Sequence, residues 1–278
     1  LLAAFDVGDE IAIMTPYYPA YINTLKALGL KINLLKGNVS NGFQPTLKIL
    51  KEIKSNFKGL VIASPANPTG SIINKEEIVK IADWCKKKNI KIISDEIYHG
   101  IEFESKSPTF FEYNNNALII NSFSKYFNMT GWRIGWIVAP KKVIQTIEKL
   151  SMALFLCPAN LAQKVALYTI DDYSILEKNI KIYRKNRDFL IENFSKLGLN
   201  DYSPADGAFY LYLDVSKITS DSKGLALKLL NEAGVSCTPG HDFDDVDGHK
   251  YIRFSYAGEF NDIKNAASRI NNWIKTKT

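Results

Sequence analysis

Long hydrophobic runs are missing from this chain. The richest, Met152 to Ala162, is broken by Pro158 and Asn160 and falls short of the roughly 18 residues that a membrane span requires. No secretory leader is legible: Leu1 to Phe5 is apolar, Asp6 ends the run, and no basic region precedes it. Cysteine is scarce. Cys85, Cys157 and Cys237 are widely spaced and form no Cys-x-x-Cys pair, which indicates neither a disulfide framework nor a zinc knuckle and fits a reducing, cytoplasmic compartment. A basic block is absent too. The charge of +6 comes from 35 basic against 29 acidic residues, and the lysines mostly alternate with glutamates and asparagines along helix faces. That pattern reads as a solvated surface, not as a nucleic-acid or membrane patch. No internal repeat is visible, and the runs Asn114-Asn115-Asn116 and Lys86-Lys87-Lys88 read as a surface loop and a helix end.

What is present is ample for a folded soluble protein: 278 residues, 46% hydrophobic, 23% charged and 12% aromatic. At about 150 residues per domain this is roughly two domains or one large one. The first half alternates β-rich runs with helical patterns, the mark of a mostly parallel sheet sandwiched by helices. Strands are predicted at Glu10 to Met14, Leu60 to Ser64, Ile90 to Ser94, Leu118 to Asn121 and Arg133 to Val138. Asn74 with Glu77 forms a capping box ahead of Ile78, Ile81, Ala82 and Cys85 at helical spacing. A long amphipathic helix over Ser174 to Leu197, stopped by Gly198, reads as a bridge between domains. Alternating patterns at Gly207 to Val215 and Tyr251 to Tyr256, with helices near Leu225 to Ala233 and at the end, predict a smaller α+β domain. The division is residues 1–172 and 173–278. The opening residues read like the end of a helix entering a strand, so a preceding segment is expected.

Parallel sheets bind ligands beyond the carboxyl ends of their strands. There the sequence places Thr15-Pro16-Tyr17-Tyr18-Pro19-Ala20-Tyr21, Asn67-Pro68-Thr69-Gly70, Asp95-Glu96-Ile97-Tyr98 and Ser122-Phe123-Ser124-Lys125. Singly, each has a structural explanation: a turn, a helix cap, one lysine of thirty. Together they gather an acid, a lysine, an amide, hydroxyls and aromatic faces at one crevice. Arg133, one of five arginines, stands eight residues after Lys125 among apolar strand-like residues, and a buried guanidinium calls for an anion.

This constellation resembles the fold-type-I pyridoxal-phosphate enzymes, specifically the class I/II aminotransferases that include the aspartate and aromatic aminotransferases. The resemblance spans essentially the whole chain. It implies that Lys125 forms the Schiff base with pyridoxal phosphate and then serves as general acid/base. By it, Asp95 pairs with the pyridinium nitrogen, Tyr98 and Asn67 bind the phenolic oxygen, and Ser122, Ser124 and Arg133 contact the phosphate. Tyr18 aligns with the aromatic that stacks on the cofactor ring, core packing being its alternative. Arg253 in Tyr251-Ile252-Arg253-Phe254 matches the arginine that grips the substrate α-carboxylate, with Asn67 beside it. The implied activity moves an amino group between an L-amino acid and a 2-oxo acid by a ping-pong mechanism in a homodimer. Physically, a buried carboxylate favours a protonated ring nitrogen, and a lysine must be shifted below its reference pKa of about 10.4 to act as nucleophile or base.

Two family elements, a phosphate-binding loop at a helix start and a tyrosine that reaches the partner's cofactor, would precede Leu1. Between Lys125 and the long helix no arginine beyond Arg133 is found, so strict dicarboxylate specificity is not supported. A carbon–sulfur β-lyase would share the same residues, and an aminotransferase-like sensing domain of a regulator would need a DNA-binding partner domain. Ser122-x-x-Lys125 also matches the penicillin-binding pattern, but no Ser-Asp-Asn or Lys-Thr-Gly follows. The acidic stretch His241 to His249 fails the EF-hand register at Val246 and reads as a solvated loop, with no metal expected. His99 reads as local structure or as the rim of the pocket.

Overall fold

The computed structural model describes residues 1–171 and 173–276. Six strands build the first sheet: β1 (Glu10–Thr15), β2 (Lys31–Lys36), β3 (Gly59–Ala63), β4 (Lys91–Asp95), β5 (Leu118–Ser122) and β6 (Gly135–Val138). Their order is β2-β1-β3-β4-β5-β6, parallel throughout except for β6, which runs antiparallel to β5. Strand alternation splits the buried residues between two faces. Ile11, Ile13, Val61, Ile93 and Leu118 face α1 (Pro19–Ala27), through Ile22 and Leu25. Ala12, Met14, Leu60, Ile62, Ile92 and Ile119 face α2 (Leu47–Glu52) and α3 (Lys75–Lys88). Because both faces are covered, the strands read as near-continuous apolar runs.

The helices begin and end where local chemistry dictates. Asn74 accepts a hydrogen bond from the Glu77 N–H at 2.9 Å and caps α3, and Asn89 closes it in the left-handed region at φ +55°. The reciprocal half of the expected capping box does not form, because the Glu77 carboxylate instead accepts from the Leu47 N–H and from Lys80. Pro19 starts α1 at its first turn, where a missing N–H costs nothing.

The second sheet is antiparallel, in the order β7-β9-β8, from β7 (Tyr210–Asp214), β8 (Thr238–Pro239) and β9 (Tyr251–Ser255). Between the sheets the chain forms α4 (Lys141–Leu154), α5 (Asn160–Thr169) and α6 (Ser174–Lys196); α7 (Ser222–Ala233) and α8 (Phe260–Lys275) follow within the second half. One apolar cluster joins Ile180, Leu190 and Phe194 of α6 to Leu211, Leu213, Leu225, Ile252, Phe254 and Ile270, and it extends to Tyr98, Ile101 and Phe103 from the loop after β4. The expected boundary at residue 172 falls outside the described residues. No helix among the described residues is long and apolar enough to cross a membrane.

Three expectations need correction. The strand predicted from Arg133 begins only at Gly135, because a single turn over Thr130–Trp132 is followed by Arg133 at φ +52°, a left-handed conformation that leaves the ladder. Nor is Arg133 buried: β6 is an exposed edge strand, and the guanidinium donates to the Thr130 carbonyl at 2.8 Å near solvent. The His241 to His249 stretch is solvated only in part, with His241, Asp242, Asp245 and Val246 exposed. Phe243 and Asp244 are buried, the Tyr17 N–H donates to the Phe243 carbonyl at 2.9 Å, and Asp244 accepts from its own Val246 and Asp247 N–H groups.

Candidate active site

Strand order reverses between β1 and β3, so the crevice at their carboxyl ends is where an open α/β sheet offers a site. Tyr18 and Tyr21 stand just after β1, Asn67 just after β3, and Asp95 is the last residue of β4. Asp95 accepts from the Ile97 N–H at 3.2 Å and from the Tyr21 hydroxyl. Enclosure among apolar walls pushes its carboxyl above the usual range, against which those two hydrogen bonds and His99 act. A cavity of about 510 Å³ lies against Asp95 and Tyr21 and is otherwise walled by residues such as Val61, Ile93, Leu118 and Ile120.

Lys125 follows β5 in the tight turn set by its serines. Ser122 Oγ donates to Ser124 Oγ at 2.9 Å and accepts from the Ser124 N–H at 3.0 Å. Thr130 Oγ1 donates to the Ser124 carbonyl at 2.8 Å while its own carbonyl takes Arg133, so the exposed arginine is tied to the serine turn through one residue. The half-buried Lys125 ammonium stands over two ring faces, 5.9 Å from the Tyr98 centroid and 5.8 Å from that of Phe209. Burial pushes its pKa down, Arg253 and then Arg133 push it further, and Asp95 acts in the opposite direction. Charges nearby thus join burial in the expected direction, with Arg253 as the stronger neighbour.

Arg253 reaches this centre from the second sheet. Its Nη1 donates to Asn67 Oδ1 at 2.6 Å and its Nη2 to Thr238 Oγ1 at 3.2 Å, while the buried Nε has no partner among the described residues. The guanidinium lies 4.3 Å from the Tyr210 ring centroid and 4.7 Å from that of Phe243. Asn67 is held in place by the turn that follows it. Gly70 sits at φ +67°, and an added Cβ would come within 2.8 Å of the Gly207 carbonyl, so glycine is required both by conformation and by approach. The Gly207 N–H and the Ser203 hydroxyl bind the carbonyls of Gly70 and Thr69, pinning the turn to the second half of the chain.

Tyr98 is buried, and its hydroxyl pairs with that of Tyr210 at 2.9 Å. Tyr18 is 44% exposed and meets Tyr21 edge-on, which removes the core-packing alternative; Tyr17 fills the core instead. His99 is local structure, with Nε2 on the Ser64 carbonyl at 3.0 Å and Nδ1 3.5 Å from Glu96. The sequence reading gave no role to Tyr21, Phe209, Tyr210 or Thr238. Pro19 marks the first turn of α1, which puts Tyr18 at the cap and Tyr21 within that turn, a signal for Tyr21. The alternation of Tyr210 and Tyr212 with Leu211 and Leu213 is the corresponding signal for Tyr210.

A crevice at a sheet switch point, a lysine of lowered pKa beside an enclosed acid, and an arginine delivered from a second sheet define a group-transfer enzyme of the pyridoxal-phosphate type. The chain belongs to the family of class I and II aminotransferases, whose model matches residues 1–270. It is 40% identical to the valine–pyruvate aminotransferase of Mycobacterium tuberculosis over 280 residues, covering 99% of this chain and 72% of that protein. It is 32% identical to the aspartate aminotransferase of Sulfurisphaera tokodaii, over 96% of this chain and 69% of that one. The crystal structure of an aminotransferase from M. tuberculosis superposes with a TM-score of 0.96 at 40% identity, over 99% of this chain and 72% of that chain. A mutant aspartate aminotransferase from Thermus thermophilus gives 0.90 at 31% identity, over 96% and 74%. The enzyme is therefore an aminotransferase that uses pyridoxal phosphate to exchange amino groups between an amino acid and a 2-oxo acid, and the lyase alternative is not favoured.

Proposed function

We propose that the enzyme transfers the amino group of an amino acid with a neutral apolar side chain to a small 2-oxo acid of the pyruvate class, with Lys125 as nucleophile and base. The observation that carries this reading is the Lys125 ammonium held over ring faces, its pKa lowered by burial, Arg253 and Arg133. Pyridoxal phosphate fits the residues around it. Asp95 is an enclosed carboxyl whose charge is disfavoured, and a ring N–H cation would offset that cost. Tyr98 and Asn67 offer a hydroxyl and an amide to the phenolic oxygen. The Ser124 hydroxyl and Arg133 offer donors to the phosphate, Ser122 joins them once its hydroxyl turns away from Ser124, and Tyr18 offers an accessible ring face. When bound, the cofactor supplies an electron sink for the bond broken at the substrate α-carbon.

The chain's own groups do the rest. Arg253, whose buried Nε has no partner among the described residues, takes the α-carboxylate and so orients the α-carbon. Lys125 Nζ, deprotonated at a lower pH than free lysine, removes the α-proton. Phe243, Tyr210 and Thr238 flank Arg253, and the cations that act on Lys125 are Arg253 and Arg133. With Arg253 and Arg133 assigned to α-carboxylate and phosphate, an apolar side chain is favoured, in line with the valine–pyruvate relative. Aspartate as donor is the second reading, supported by the aspartate relative.

The division into residues 1–172 and 173–278, a homodimer and a cytoplasmic location belong to the same proposal. Exposed apolar side chains on and beside α5, among them Leu156, Leu161, Leu167 and Tyr168, support a second copy as partner. Three free cysteines support a reducing compartment. The test records the visible spectrum with pyridoxal phosphate, beside Lys125→Ala, before and after valine or aspartate is added, with pyruvate as acceptor. A cofactor band present only with Lys125, discharged by valine and restored by pyruvate, is expected. A band in the variant too, or discharge only by aspartate, overturns the lysine assignment or the donor class respectively.

A further inference from the structure

We propose that Tyr210 is a positioning residue that sets two parts of the site at once: its hydroxyl orients that of Tyr98, and its ring face holds the Arg253 guanidinium. This rests on the reading of Tyr98 and Arg253 given above. In the register of the second sheet Arg253 lies directly opposite Tyr212, so Tyr210, two residues earlier on β7, is its diagonal neighbour on the same face. There the ring centroid lies 4.3 Å from the guanidinium carbon, within the range of a cation–π contact, and the buried ring beside a partly buried arginine strengthens it. The other end of Tyr210 crosses to the first half of the chain. Its hydroxyl lies 2.9 Å from that of Tyr98, and the two rings meet edge to face at 5.7 Å.

Both tyrosines are buried, at 6% and 4% exposure, and burial raises both hydroxyls above their ordinary pKa, so the pair keeps its protons at working pH. A phenol hydroxyl has one proton and two acceptor positions. When Tyr210 is the donor of this pair, it occupies an acceptor position on Tyr98 and leaves the Tyr98 proton to be given to a phenolic oxygen. Without Tyr210 the Tyr98 hydroxyl would lose its buried partner and turn freely, weakening whatever bond it makes to a phenolic oxygen. Tyr210 therefore couples a residue of the cofactor pocket to the residue that binds the substrate carboxylate, which a purely packing role does not require.

Two substitutions separate the two duties. Tyr210→Phe keeps the ring and removes the hydroxyl. The pH midpoint of the lysine-dependent visible band of the bound cofactor is expected to rise by about half a unit to one unit, because negative charge on the phenolic oxygen loses support. KM for the amino acid stays within about twofold, since the ring face under Arg253 remains. Tyr210→Leu removes the ring and raises KM by roughly fivefold to thirtyfold as well. Tyr98→Phe should raise the midpoint at least as far, and the double Phe variant no further than Tyr98→Phe alone. An unshifted midpoint in folded Tyr210→Phe, or additive shifts in the double variant, overturns the proposal while the reading of the site survives. If the native enzyme shows no band that depends on Lys125, the reading of the site falls and the role of Tyr210 falls with it.

Discussion

Asp95→Asn changes a charge and almost nothing else. The amide can still accept from the Ile97 N–H with one end and donate to the Tyr21 oxygen with the other, so the two contacts that fix the side chain persist. Enclosure disfavours the charged form of the carboxyl and raises its pKa. A raised folded-state pKa contributes stability that is complete below the unfolded value of about 3.9 and is lost as pH rises through the folded value. At neutral pH the cofactor-free variant should thus be at least as resistant to urea as the parent, with an advantage that grows from acid to neutral pH. Turnover should move the other way. Removing one partner of a buried ion pair costs about 3–5 kcal/mol, and at about 1.36 kcal/mol per tenfold this is roughly two to four orders of magnitude in kcat/KM. The assay pairs urea titration of the cofactor-free protein at several pH values with stopped-flow turnover of the loaded one. Turnover within tenfold of the parent would refute the pairing of Asp95 with a cofactor cation, and a less stable empty variant would refute the enclosure argument.

Other perturbations test separate parts of the structure. Arg253→Lys keeps the charge but loses the fork that spans Asn67 and Thr238, and KM for the amino acid should rise roughly tenfold to a hundredfold in steady-state assays. Asp247, held by Lys250 and Lys36, has its pKa lowered to about 2. A depressed pKa stabilises above the unfolded value and is lost as pH falls toward 2, so Asp247→Asn should lower stability by about 0.2–1 kcal/mol per lost pair at pH 7, with the difference closing by pH 2 in urea titrations. Ile92→Ala, at a fully buried position of β4 away from the crevice, should cost about 2–5 kcal/mol in denaturant titrations. A cost below about 1 kcal/mol would mean the layer between β4 and α3 is not close-packed.

The sheet was legible where burial on both faces forces apolar runs, as in β3 and β4, and much less so at its edges. β2 carries Lys31, Asn33 and Lys36 and is mostly accessible, so its pattern resembles a loop as much as a strand. β6 shows the reverse error. Its apolar letters suggested burial, but its side chains are exposed, and hydrophobicity alone does not say which apolar strand is covered. Helices α1, α2, α4 and α5 were not singled out either: α2 is only six residues long, whereas α4 carries Val143, Ile144, Ile147 and Leu150 at a helical spacing that the sequence reading passed over.

The candidate site divides along the same physical line. Residues placed by their own strand end, such as Asp95 and the Ser122 to Lys125 turn, carry their position in the local sequence, because a strand end fixes where the next side chains stand. Contacts that close the site do not. The Arg253 to Asn67 bond spans 186 residues and the Tyr98 to Tyr210 pair spans 112. Both run between a loop on the first sheet and a strand of the second, where neither periodicity nor a turn signal reports the neighbour. What holds these pairs together is the cluster that carries Tyr98, Ile101 and Phe103 into the core of the second sheet, together with the Gly70 turn pinned by Gly207 and Ser203. The acid and the lysine therefore belong to the frame of the first sheet, and the carboxylate-binding arginine to that of the second. A substitution in the packing between the sheets, with no ligand contact of its own, should change KM through Arg253 before it changes the protonation of Asp95.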